Sequence, residues 1–163
     1  MEVRTLLLQQ WTSCLDKEDW FPPLENVLED ITFEQAIWKP MEGAHSIWEL
    51  VCHLLFYEKR ILMRFLGETA NEPQAENNES TFRLPTLTSE NWMETIQEYF
   101  YVHRELEKTL AHSDQEDLYR VIPREDHSLV HELKSLAMHD AYHIGQIVFL
   151  SKMQGAWAEK RRF

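Results

Sequence analysis

Apolar positions recur at helical spacing along most of the chain. Leu6, Leu7, Trp11 and Leu15 mark one face of a helix predicted over 3–15. Trp20-Phe21-Pro22-Pro23 then turns the path, and a proline suits a first helical turn, so a second segment runs from Pro22 or Pro23 to near Asp30. Thr32-Phe33-Glu34-Gln35 has a hydroxyl at the N-cap and Gln at N3, a capping box that opens a short helix ending before Pro40. Ser46-Ile47-Trp48-Glu49 is a second such box, opening a long helix to Leu66 with Gly67 placed to end it. The polar stretch 68–86 reads as a mobile loop. Trp92, Ile96, Tyr99, Leu106 and Leu110 form a packed seam on a helix over 89–111. Residues 114–127 read as a linker, and Ser128 is placed to cap a last long helix ending near Met153, beyond which the tail is polar and frayed.

Four main helices on short and medium connections predict an all-α, up-down four-helix bundle with its first helix broken. No internal repeat or boundary divides residues 1–163, which read as one domain. With 44% apolar residues and only 4 glycines and 6 prolines, the composition favours long helices over a turn-rich β fold.

The net charge of -12 argues against nucleic acid and acidic membrane surfaces as partners, since their phosphates attract Lys and Arg. The only basic cluster, Lys160-Arg161-Arg162, is too small to reverse this. Cys14 and Cys52 suggest neither a disulfide framework nor a zinc knuckle. The N-terminus lacks the character of a signal peptide, and no apolar run approaches the roughly 18 residues that span a bilayer. The expectation is a cytoplasmic protein with reduced thiols.

Candidate chemistry lies in the eight histidines. His127/His131 and His139/His143 are spaced i, i+4, which puts each pair on one helix face one turn apart, where two imidazoles can share one ion. At about 100° per residue, His139 and His143 lie roughly 100° from the stripe of Leu133, Ile144 and Val148. His53 lies roughly 120–140° from the stripe of Ile47, Val51, Leu54 and Phe65, beside Tyr57, Arg60 and Arg64. All three therefore sit at the core margin, a position suited to an open site. His45, His112, His127 and His131 read as exposed. His103 falls on the apolar seam and reads as a core histidine with one partner, with a fourth-ligand or base role as the alternative. Asp140 falls inside the apolar stripe of the last helix, where a carboxylate is costly unless paired. Two readings of it stand: it orients a ligand imidazole such as His53, or it bonds a backbone N–H or an indole. Cys52 reads as a packing residue.

Met138-His139-Asp140-Ala141-Tyr142-His143-Ile144-Gly145-Gln146-Ile147 resembles the C-terminal signature of the DinB/YfiT-like family. The string His45-Ser46-Ile47-Trp48-Glu49-Leu50-Val51-Cys52-His53-Leu54 is similar to the family's second helix, and Trp20 to Pro40 carries a similar upstream pattern. The resemblance covers nearly the whole chain. It implies a DinB-like four-helix bundle in which His53, His139 and His143 hold one divalent ion; Asp140 and Gln146 are the candidates for orienting them. It also implies a homodimer.

Three neutral imidazoles leave a metal position open for water or substrate, and zinc, nickel and iron(II) all accept this ligand set. The resemblance makes the leading expectation a low-molecular-weight-thiol S-transferase of the bacillithiol or mycothiol type, with the metal holding a small-molecule thiol as thiolate. Arg60 and Arg64 then either bind an anionic substrate or are ordinary surface charge. A metal-dependent hydrolase and a non-enzymatic, stress-linked metal-binding module are the alternatives.

Overall fold

The computed structural model describes residues 2–123 and 125–157, so Lys160-Arg161-Arg162 lies outside the described residues. These form seven α-helices: α1 (Val3–Leu15), α2 (Leu24–Leu28), α3 (Phe33–Ile37), α4 (Ile47–Leu66), α5 (Ser89–His112), α6 (Gln115–Tyr119) and α7 (Leu129–Met153). The helix starts follow local side-chain chemistry. In the box opening α3, Thr32 N–H donates to Gln35 Oε1 at 2.9 Å and Gln35 N–H donates to Thr32 Oγ1 at 3.3 Å. In the box opening α4, Ser46 N–H donates to Glu49 Oε2 at 2.7 Å and Glu49 N–H donates to Ser46 Oγ at 3.2 Å. Gly67 adopts φ 76°, and its N–H and that of Glu68 satisfy the carbonyls of Arg64 and Met63, which stops α4 in a Schellman turn. Ser128 occupies the N-cap of α7, but its side chain makes no cap hydrogen bond.

The four long helices form a bundle in which α1 and α4 each pack on both α5 and α7. α1 and α4 therefore stand diagonally opposite, and α2 and α3 lie on the path between them. Trp11, Trp48, Trp92 and Tyr99 are among the largest fully buried side chains. Each of these indoles finds an acceptor: Trp48 Nε1–H donates to Thr95 Oγ1 at 3.0 Å, Trp92 to the Ile31 carbonyl at 3.4 Å and Trp11 to the His103 carbonyl at 3.1 Å. Burying large aromatic area while keeping each N–H bonded is what makes tryptophan favourable here. No described helix is long and apolar enough to cross a membrane.

Three stretches differ from the reading by periodicity. Residues 68–86 are an ordered strap with 3-10 turns at Thr69–Asn71 and Asn78–Phe82, the latter capped by Asn77 and packed on α4. Residues 114–127 contain α6, capped by Asp114, and Val121 pairs with Ser128 in an isolated bridge. Past Met153, Gly155 takes φ 67° and closes a second Schellman turn, returning Trp157 to the core, while the rest of the tail expected to fray, 158–163, lies outside the described residues.

Candidate metal centre

His53 projects from the middle of α4, and His139 and His143 project from successive turns of α7. Because α4 and α7 are neighbours, the rings meet: one ligand nitrogen from each lies within 4.8 Å of the other two. His53 Nε2 and His139 Nε2 are 3.0 Å apart.

Proton accounting fixes which nitrogens are offered. Thr81 Oγ1 donates its single proton to the Asn78 carbonyl at 2.6 Å. It must therefore accept from His53 Nδ1–H, 2.5 Å away, which leaves the His53 Nε2 lone pair facing the site. His143 Nδ1–H donates to Gln146 Oε1 at 2.8 Å, which leaves its Nε2 free as well. His139 Nδ1 lies 3.5 Å from Asp140 Oδ1, a long contact outside hydrogen-bond geometry, while its Nε2 lies 3.0 Å from His53 Nε2. An acceptor bonded to Nδ1, as at His53 and His143, is the arrangement that metal-binding imidazoles use.

Burial supports the neutral ligand form. His53 is 2% exposed and His143 is 7% exposed. Burial, with the neighbouring His139 and His143 adding to it, pushes the His53 pKa down to about 3. Burial also lowers that of His143. The margin position expected for these two is thus corrected: Phe82 of the strap stacks on His53 with centroids 3.9 Å apart, and only His139, at 29% side-chain exposure, opens to solvent. Phe82 is itself sandwiched against His45, 3.8 Å away, so His45 is half-buried rather than exposed. Tyr57 meets His53 and His139 edge-on and donates its hydroxyl to Asn78 Oδ1 at 3.1 Å, pinning the strap to α4.

A scan against protein families matches the DinB superfamily over residues 23–147, well over half of the 163 residues. The chain belongs to the DinB superfamily. No curated protein and no solved structure gives a significant match.

Other sequence expectations for this DinB chain sort clearly. Gln146 contacts His143, whereas Asp140 stands beside His139 and not His53. The reason is local: Asp140 is the chain neighbour of His139, and Thr81 already occupies the Nδ1 side of His53. Arg64 is neither an anion site nor surface charge. It is 7% exposed and meets Glu72 at 3.1 Å, Glu125 at 3.1 Å and Glu132 at 2.9 Å, while Arg60 pairs with Glu72. His127 is half-buried against Glu132, whereas His131 and His112 are exposed. Cys52 packs against the core, and burial raises its thiol pKa to about 12, too high for a nucleophile at neutral pH. His103 is fully buried with two partners rather than one, Glu58 and the Trp11 carbonyl. Periodicity could not reveal Thr81 and Phe82. The Asn77-to-Ser80 capping box was the available signal that this segment is ordered.

Proposed function

We propose that this DinB protein is a metal-dependent enzyme in which His53, His139 and His143 hold one divalent ion, and that it transfers a low-molecular-weight thiol of the bacillithiol type to an electrophile. The observation that carries the reading is the convergence of one nitrogen from each of His53, His139 and His143 within 4.8 Å of the others, with an acceptor bonded to Nδ1 of both His53 and His143. A divalent ion bound there would supply Lewis acidity, lowering the pKa of a thiol so that it stays thiolate at neutral pH.

The remaining work falls to the chain. Thr81 and Gln146 hold His53 and His143 in one tautomer, and Asp140 lies 3.5 Å from His139 Nδ1. Phe82 and Tyr57 wall His53 and reduce water around it. The exposed side of His139 is the approach for the small molecule. A three-histidine set with an open approach suits catalysis better than a closed four-ligand structural site. The family resemblance favours a thiol over water as the activated species.

The test is elemental analysis of untagged protein beside the His53→Ala/His139→Ala/His143→Ala variant, followed by assays with bacillithiol, mycothiol or cysteine and a halogenated aromatic electrophile. The expected result is a chelator-sensitive rate that rises with thiol concentration and disappears in the variant. Chelator-sensitive ester or amide cleavage without added thiol would replace transfer with hydrolysis. Equal metal content in wild type and variant would overturn the site.

A further inference from the structure

A second cluster lies deeper in the bundle, and of its residues the proposed function uses only Asp140. Glu58 on α4, His103 on α5 and Asp140 on α7 bring one ligand atom each within 4.8 Å of the others. All three residues are 0% exposed.

The tautomer of His103 is fixed from outside the cluster. The Trp11 carbonyl can only accept, so His103 Nε2 carries the proton that bonds it at 3.2 Å. The Nδ1 side therefore faces Glu58 Oε1, 2.7 Å away. The Trp11 indole stacks on the His103 ring with centroids 4.3 Å apart, and its N–H donates to the His103 carbonyl. One ring N–H on a backbone carbonyl and the other nitrogen turned toward carboxylates is how a ligand imidazole is held.

The carboxylates are left incomplete. Glu58 Oε2, both Asp140 oxygens and the Tyr99 hydroxyl are buried, and none makes a hydrogen bond of normal geometry. Buried polar atoms without partners are rare and call for a specific cause, an ion among them. Glu58 and Asp140 are both fully buried, so two bare negative charges in this layer would be costly. The only buried arginine among the described residues, Arg64, is committed to Glu72, Glu125 and Glu132, and no described lysine is buried.

We infer that Glu58, His103 and Asp140 form a second, enclosed site for a divalent first-row metal ion, built from three helices in the bundle core. Two carboxylates and a neutral imidazole cancel the charge of such an ion. This oxygen-rich donor set accepts manganese, iron(II) or zinc. Inward-pointing carboxylates and histidines on facing helices are a general way for bundles to hold metal. Asp140 Oδ1, 3.5 Å from His139 Nδ1, would couple this ion to the open site. The inference stands independently of the three-histidine reading.

The test is metal content after refolding with excess manganese or zinc and gel filtration through EDTA. The His53→Ala/His139→Ala/His143→Ala variant is expected to retain about one ion per chain, because an enclosed ion exchanges slowly. Glu58→Gln or Asp140→Asn in that background should each abolish retention, with far-UV circular dichroism confirming that both have folded. If the triple variant does not refold, wild type saturating at two ions and Glu58→Gln saturating at one gives the same answer. No retained ion in the folded triple variant, or saturation of wild type at a single ion that the variant loses, overturns the enclosed site. With EDTA omitted, a triple variant that saturates with as much metal as wild type would sink the three-histidine centre and leave the enclosed one standing.

Discussion

The Thr81 hydroxyl has one proton to give, and its destination decides the state of His53. Because Asn78 takes that proton, Thr81 can only accept from His53 Nδ1. Valine has nearly the same shape and no acceptor. Thr81→Val should therefore weaken metal binding about 10- to 100-fold, the usual effect of losing a partner behind a ligand imidazole, while Thr81→Ser stays close to wild type. Competition with a chromophoric chelator measures both, and equal affinity of the Val variant and wild type would remove Thr81 from the site. At this scale the sequence was legible where helical geometry speaks: His139 and His143, four apart, must share a face. His53 joined them only through family resemblance, since periodicity places residues around one helix and says nothing of the next. Thr81 lies 28 residues beyond His53 in a polar stretch with no period. Glu58 was illegible for another reason. A glutamate within a helix reads as solvent-facing, and its burial depends on His103 of a different helix.

Elements were readable where a cap or a stripe marks them. Both capping boxes predicted from hydroxyl and Glu/Gln spacing are formed, and Gly67 ends α4 as its freedom at positive φ allows. α6 escaped because five residues carry no periodicity and its box uses Asp117 where Glu or Gln is the usual signal. The ends of elements also hold the connections in place. Arg64, in the last turn of α4, ties the strap through Glu72, the segment before α7 through Glu125, and α7 itself through Glu132. Removing it leaves three carboxylates facing one another, two of them with less than 15% side-chain exposure. Arg64→Leu is expected to lower the unfolding free energy by about 3 kcal/mol, the lower end for breaking a buried ion pair. Arg104→Leu, which breaks an exposed pair with Glu25, should cost less than about 1 kcal/mol. Urea unfolding of the two variants side by side checks this, and similar midpoints would mean that Arg64 is not a tether.

For the molecule as a whole, the question is whether the three-histidine ion builds the fold or only uses it. Trp11, Trp48 and Trp92 lie in an apolar core that reaches all four long helices, and the site touches that core through Phe82, which stacks on His53. A chain of 163 residues buries enough surface to fold without a metal staple, unlike a zinc finger. Two of the three imidazoles, His53 and His143, are moreover held by hydrogen bonds to protein groups, so most of the site is formed ahead of the ion. Ion binding should then act as simple linkage, adding about 2.7 kcal/mol when free metal is a hundred times its dissociation constant. The expected result is that EDTA leaves the far-UV circular dichroism spectrum nearly unchanged and lowers the thermal midpoint, and that added zinc restores the midpoint in wild type. Collapse of the helical signal on chelation would make metal a structural requirement and would move the chemistry away from an open, exchangeable centre. Retained helix with a metal-dependent midpoint is what a preformed site on a self-sufficient bundle requires.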